Sequence, residues 1–354
     1  MMTLTLLVVG LLVLTLGAEL LVKGSSRLAA AVGISPLVIG LTIVAYGTST
    51  PELVVSISSG LRGQDDVAIA NIVGSNIFNV LAILGLCAVI LPLHVSSQLI
   101  RIDVPIMIAS SFLCWFVSYD GRVGKVDGAI LTALIVIYTV WSILKSRKET
   151  KEVAAEYEAE YGEAKSGGRS SKAILLDLFF IAAGIGCLII GGRWFVDGSI
   201  ELARYLEVSE LIIGLTIVAA GTSMPELATS IVATIRGERD IAIGNVVGSN
   251  IYNILCILGI ASLVTPNGLA VNPLMMRVDI PVMTLVAIAC FPIFFTGLKI
   301  SRWEGLLFLM GYIAYTGYLI WSAQVQAIAT PPVAIPSGPP QAFMLPFSPI
   351  NLLV

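Results

Sequence analysis

The chain has 354 residues, 57% of them hydrophobic and only 12% charged, with a formal net charge of −3. A soluble domain carries about 25% charged residues, so this is membrane composition. The near-neutral balance excludes nucleic acid as a partner and gives no reason for docking on an anionic surface.

Apolar runs of about 20 residues, enough to cross a bilayer, occur at 3–22, 37–61, 68–91, 102–118, 128–144, 173–192, 211–235, 241–264, 278–296 and 304–322. The first lacks a small-residue cleavage site and is followed by more spans, so it reads as a helix and not a signal peptide. Residues 145–172 are charged and hydrophilic, an expected cytoplasmic linker with some helix. Residues 323–354 are uncharged and proline-rich, an expected poorly ordered tail. Cys87, Cys114, Cys187, Cys256 and Cys290 lie inside apolar runs without metal-ligand spacing and read as small packing residues. His94, the single histidine, ends the third span and reads as interfacial.

The chain is a duplication. IGLTIVA at 39–45 recurs at 213–219, and RGQDDVAIANIVGSNIFNVLAILG at 62–85 matches RGERDIAIGNVVGSNIYNILCILG at 236–259. RIDVP at 101–105 likewise matches RVDIP at 277–281. Each half, 1–144 and 173–322, holds five spans, so the second copy must enter the membrane upside down, as in secondary transporters. Loops after spans 1, 3, 5, 7 and 9 hold fourteen of the 20 Lys and Arg, leaving six for the other side. The positive-inside rule then puts both termini outside the cell (inner) membrane. The expected fold is an all-α membrane protein of ten transmembrane helices, arranged as two inverted five-helix repeats.

Spans 2 and 7 carry GTSTPEL at 47–53 and GTSMPEL at 221–227. Pro51 cannot donate to the Gly47 carbonyl, nor Pro225 to that of Gly221, so both spans should break near mid-membrane. Thr48 and Ser49, with Thr222 and Ser223, stand where they would cap the second half-helix. Carbonyls around Ala45 and Gly47, and Ala219 and Gly221, should come free and face a cavity. Glu52 and Glu226 each cost about 2.5–3.5 kcal/mol at this depth. No Lys or Arg lies in the core of a span, so a cation or protons must balance them. In the next span of each half, Asn71, Ser75 and Asn79 share one helical face, repeated by Asn245, Ser249 and Asn253. An oxygen-only donor set implies a hard ion (Na⁺, Ca²⁺ or Mg²⁺), and flexible coordination favours Ca²⁺ as cargo. Asn76 and Asn250 point off that face and read as interhelical hydrogen bonders. Asp103 and Asp279, beside arginines, read as interfacial ion pairs.

These paired motifs, within repeats 39–85 and 213–259, resemble the cation/calcium exchanger superfamily, in particular its prokaryotic sodium/calcium exchanger branch. The resemblance implies a core of spans 2–5 and 7–10 with spans 1 and 6 as a long tilted pair sliding past it. It implies a Na⁺/Ca²⁺ antiporter that exports Ca²⁺ against Na⁺ influx by alternating access, without a cofactor and with a monomer sufficient. By motif position, Glu52 and Glu226 would ligate both ions, and Thr48 and Thr222 would offer backbone oxygen to Ca²⁺. Ala45, Ser49 and Ser75 would serve one flanking Na⁺ site, Ala219, Ser223 and Ser249 the other, with Asn79 and Asn253 bordering the middle. Many members carry Asp where this chain has Asn253, and potassium-dependent ones use an acid there. Two formal charges instead of three leave Na⁺ stoichiometry open and argue against K⁺ dependence. The rival within the superfamily is an H⁺/Ca²⁺ antiporter, which would not need the flanking hydroxyls. An intramembrane hydrolase leaves the matched Ser and Asn faces unexplained, and in a channel a tight two-glutamate cage would hold Ca²⁺ too well for fast conduction.

Overall fold

A computed structural model of the chain describes residues 2–161 and 171–329. Residues 162–170 of the expected linker and 330–354 of the expected tail lie outside the described residues.

The first repeat begins with α1 (Met2–Val32) and the second with α7 (Ser171–Tyr205), of 31 and 35 residues. Both outrun their apolar stretches, because Glu19, Lys23 and Arg27, and Arg193, Asp197 and Glu201, continue the helix instead of ending it. At about 1.5 Å per residue they reach roughly 46 and 52 Å, against a hydrocarbon core of about 30 Å. They run antiparallel, in contact along glycines spaced seven apart: Gly10, Gly17 and Gly24 on α1, Gly184, Gly191 and Gly198 on α7. A Cβ at Gly17 would lie 2.8 Å from the Gly184 carbonyl, and one at Gly184 would lie 2.8 Å from that of Gly17. Only glycine lets two backbones meet this closely, and the seven-residue period keeps the seam continuous.

The rest of the first half is α2 (Pro36–Thr48), α3 (Thr50–Leu61), α4 (Asp65–Ile90), α5 (Leu99–Val117) and α6 (Lys125–Tyr161). The second half matches it with α8 (residues 210–221), α9 (Met224–Ile235), α10 (Arg239–Val264), α11 (Pro273–Leu298) and α12 (Arg302–Ala329). The α2–α3 pair is one span bent by 47°, and α8–α9 occupies the same place in the other repeat. α6 runs through Tyr161, into the linker, on a stretch of good helix formers. α12 runs to Ala329, so residues 323–329 are helical and not loose tail: no glycine or proline interrupts Ser322–Ala329.

Loop contacts sort into two ends. At the first, Arg236 pairs with Glu19 at 2.6 Å, and Ser26 donates to Glu238 at 2.8 Å. There β1 (Leu93–His94) also pairs with β4 (Lys299–Ile300). At the second, β2 (Arg122–Val123) pairs with β3 (Leu269–Ala270), and Asp65 accepts the Ala270 N–H at 2.9 Å. Among these contacts, loops after spans 1, 3, 7 and 9 meet at one end and those after spans 2, 4 and 8 at the other.

α4 and α10 are the central spans, with 83% and 89% of their apolar windows buried. Each passes from α to π geometry, at Asn79–Leu84 and Asn253–Leu258. π turns inside helices recur at functional sites.

Candidate cation-binding site

Both broken spans turn at a serine, Ser49 (φ −81°, ψ 12°) and Ser223 (φ −87°, ψ 12°), just ahead of the proline-bearing turn. Neither serine caps its helix. The expected cap gives way to a stronger acceptor across the repeat axis. Ser49 Oγ donates to Glu226 Oε1 at 2.6 Å, and Ser223 Oγ to Glu52 Oε1 at 2.8 Å. A serine that capped its own helix would leave this buried carboxylate oxygen without a partner, at a cost of about 1–3 kcal/mol, which accounts for the preference.

The serine groupings also cross. Ser49 lies 3.1 Å from Ser249, and Ser223 lies 3.0 Å from Ser75. The expectation grouped Ser49 with Ser75, and Ser223 with Ser249. Inversion of the repeats sets each break against the central helix of the opposite half, so the partners exchange. The Ala45 carbonyl is not free either. It accepts the Ser49 N–H at 3.0 Å and the Thr48 hydroxyl at 3.3 Å, because the helix makes one further bond before it breaks.

Asn71 and Asn245 do not face the cage. Asn71 Nδ2 donates to the Glu52 carbonyl at 3.1 Å and to Ser56 at 2.9 Å, while its Oδ1 accepts from Thr222 at 3.1 Å. Asn245 mirrors it, toward the Glu226 carbonyl at 3.4 Å, Ser230 at 3.0 Å and Thr48 at 3.1 Å. These amides brace the backbone that carries the glutamates. Sequence reasoning missed Ser56 and Ser230, although both fall in the repeat frame.

Glu52 and Glu226 are each 1% exposed, and Ser49, Ser75, Ser223, Ser249, Asn79 and Asn253 are buried around them. Four oxygens, Oε2 of each glutamate and Oδ1 of Asn79 and Asn253, have no hydrogen-bond partner in the protein. An unsatisfied buried acceptor costs about 1–3 kcal/mol, more when charged. Among the described residues no group of three His, Cys, Asp or Glu side chains comes together. The donor set is therefore two carboxylates with neutral amide and hydroxyl oxygens, which fits a hard cation.

The two limbs of the site differ. A Cβ at Gly40 would meet the Ile241 carbonyl at 2.9 Å, and one at Gly248 would meet that of Leu41 at 2.5 Å, so α2 is seated tightly on α10. At the matched Gly214 and Gly74 nothing lies within 4 Å, so α8 stands off α4. Accordingly Ala45 and Thr48 are buried, while Ala219 is exposed and Thr222 partly so. The cage itself is closed, its glutamates, serines and asparagines all buried, and the packing around it is looser beside α8 than beside α2.

Asp103 and Asp279 are not ion pairs with arginine. Asp103, fully buried, accepts the Tyr138 hydroxyl at 2.9 Å, and Asp279 accepts that of Tyr315 at 2.8 Å. Arg101 and Arg277 are exposed, and the last helix of each half brings a tyrosine to the aspartate instead.

Two inverted halves around a buried, oxygen-lined pair of carboxylates, with one limb seated and the other raised, define a secondary transporter for hard cations. The family profile described as sodium/calcium exchanger protein matches residues 2–144 and 176–321, and the chain belongs to that family. It is 38% identical to inner membrane protein YrbG of Escherichia coli over 330 residues, covering 90% of this chain and 97% of that one. It is 31% identical to the sodium/calcium exchanger MaX1 of Methanosarcina acetivorans, covering 89% and 97%. A structure of the sodium-calcium exchanger NCX_Mj soaked with zero Na⁺ and Ca²⁺ superposes with a TM-score of 0.75 at 30% identity, covering 90% of this chain and 99% of that one.

Proposed function

We propose that this protein is a Na⁺/Ca²⁺ antiporter that exports Ca²⁺ against Na⁺ influx by alternating access. The observation that carries the reading is the set of four partnerless buried oxygens on Glu52, Glu226, Asn79 and Asn253. Ca²⁺ takes six to eight oxygens in flexible geometry. These four would form its seat, with backbone oxygen of Thr48 and Thr222 completing it. Two carboxylates neutralise one Ca²⁺ or two Na⁺; a third Na⁺ would leave the loaded site positive and make exchange electrogenic.

The flanking Na⁺ sites follow the crossed geometry. One comprises Glu226 with Ser49 and Ser249, beside Ala45; the other comprises Glu52 with Ser223 and Ser75, beside Ala219. Na⁺ at either site takes the serine and carboxylate oxygens that otherwise bond each other, so Na⁺ loading and the Ca²⁺ seat compete for the same glutamates. With the basic loops cytoplasmic, the more loosely packed limb α8 lies on the outer side, both termini are outside, and the cage is occluded. That the E. coli relative is an inner membrane protein supports the same location for this chain.

An emptied cage exposes two carboxylates to low dielectric, which opposes the crossing of an unloaded carrier and couples the two fluxes. The neutral amide of Asn253 supports K⁺ independence. The test is ⁴⁵Ca²⁺ uptake into proteoliposomes loaded with Na⁺, or with acid inside instead, each with and without K⁺. Uptake that needs Na⁺ inside and ignores K⁺ is expected. Uptake driven by the pH gradient and indifferent to Na⁺ would overturn the choice of counter-ion.

A further inference from the structure

α4 and α10 cross where Asn76 meets Asn250, one repeat apart (250 − 76 = 174, the spacing that also relates Asn79 to Asn253). Each donates its side-chain N–H to the other's main-chain carbonyl, Asn76 Nδ2 to Asn250 O at 3.2 Å and Asn250 Nδ2 to Asn76 O at 3.3 Å. A main-chain carbonyl only accepts, so these two amides have a single admissible orientation. That orientation turns Asn76 Oδ1 toward Asn253, whose Nδ2 donates to it at 2.9 Å, and Asn250 Oδ1 toward Asn79, whose Nδ2 donates to it at 3.0 Å. The atoms left for the cage are then Asn79 Oδ1 and Asn253 Oδ1, the two amide oxygens without a partner. Flipping either amide would set oxygen against oxygen in the ring and aim an N–H at the cation seat.

We infer that Asn76 and Asn250 are positioning residues that lock the polarity of Asn79 and Asn253, so that the cage offers two amide oxygens and no N–H to the cation. The inference rests on the cage being the cation seat. Plain interhelical bonding accounts for contact between α4 and α10, but it does not require the crosswise chain that leaves two buried amide oxygens without a partner. The ring also bears on cage charge. Whatever stands at 253 must donate to Asn76 Oδ1; asparagine does so as a neutral group, whereas an aspartate does so only when protonated. The ring thereby keeps the cage at two formal negative charges, the charge of one Ca²⁺.

The experiment is equilibrium ⁴⁵Ca²⁺ binding to the purified full chain in detergent, beside Na⁺-driven uptake in proteoliposomes. Asn76→Leu, close to isosteric, should weaken Ca²⁺ binding by about 10- to 100-fold, the usual cost of removing an outer partner of a metal ligand. The effect should be crosswise. Asn76→Leu should add nothing in an Asn253→Leu background and should keep its full effect with Asn79→Leu. Asn76→Gln supplies the conservative rescue, because it keeps an amide oxygen for Asn253 and an N–H for the Asn250 carbonyl, and it should bind Ca²⁺ more tightly than Asn76→Leu. Asn76→Gln as weak as Asn76→Leu, or full loss added by Asn76→Leu to Asn253→Leu, would overturn the inference. If Asn76→Leu does not fold, the mirror cycle of Asn250→Leu with and without Asn79→Leu decides. Wild-type Ca²⁺ binding without Na⁺-driven uptake would sink the antiport reading and leave the ring to be judged by binding.

Discussion

Gly74→Ala tests alternating access through the difference between the two limbs. In the conformation described, a Cβ at position 74 meets nothing within 4 Å, so the substitution is tolerated there. The inverted repeat shows what closing α8 onto α4 would do. At the matched Gly248, where α2 is already seated, a Cβ would lie 2.5 Å from the Leu41 carbonyl, well inside contact distance, and backbone cannot swing aside as a side chain would. Overpacking of this kind costs about 1–3 kcal/mol. At about 1.4 kcal/mol per factor of ten, that opposes closure by roughly 5- to 140-fold. Gly74→Ala should therefore bind Ca²⁺ with near wild-type affinity in detergent and exchange it slowly in proteoliposomes. Gly248→Ala should act in the opposite sense, unseating α2 and destabilising the conformation described. Exchange by Gly74→Ala within twofold of the wild-type rate would refute closure of α8 on α4.

Other outcomes follow from the same geometry. Glu52→Gln and Glu226→Gln, each leaving one carboxylate for a divalent ion, should abolish exchange while the protein stays folded; measurable flux in either variant would refute the shared seat. Ser49→Ala and Ser223→Ala should raise the Na⁺ concentration for half-maximal exchange several-fold more than the Ca²⁺ concentration; equal shifts would remove the flanking sites from the account. Gly17→Leu should lower thermal stability sharply, because α1 and α7 meet backbone to backbone there; an unchanged melting temperature would contradict the glycine seam. Tyr138→Phe strips Asp103 of its hydroxyl partner and should cost about 1–3 kcal/mol of stability, read as a lower Tm with the half-saturating Ca²⁺ concentration unchanged.

The all-α membrane fold, the duplication and the two proline breaks were legible in the sequence because each rests on a local rule: apolar length, recurring words, or a missing N–H. Glu52 and Glu226 were legible for the same reason, as charges without a counter-charge. What needed the structure is contact across the repeat axis. The resemblance, carried over by motif position, groups Ser49 with Ser75 of its own half, whereas the structure delivers Ser249. Asn71 looked like a ligand from its face, but its amide is consumed by the Glu52 carbonyl and Ser56. The glycine period at 10, 17 and 24 was present in the sequence, and its repeat at 184, 191 and 198 was the signal that the long helices touch. The unequal limbs were not legible at all, since two matched sequences carry no mark of which one is seated at a given moment.

The central claim is that one pair of glutamates serves both ions, and Na⁺ competition for ⁴⁵Ca²⁺ binding to the purified protein tests it most directly. Na⁺ should displace Ca²⁺ cooperatively, with more than one Na⁺ per Ca²⁺ released, and Glu52→Gln and Glu226→Gln should each lose Ca²⁺ binding. Ca²⁺ binding that Na⁺ leaves untouched, or that survives in both variants, would contradict the account.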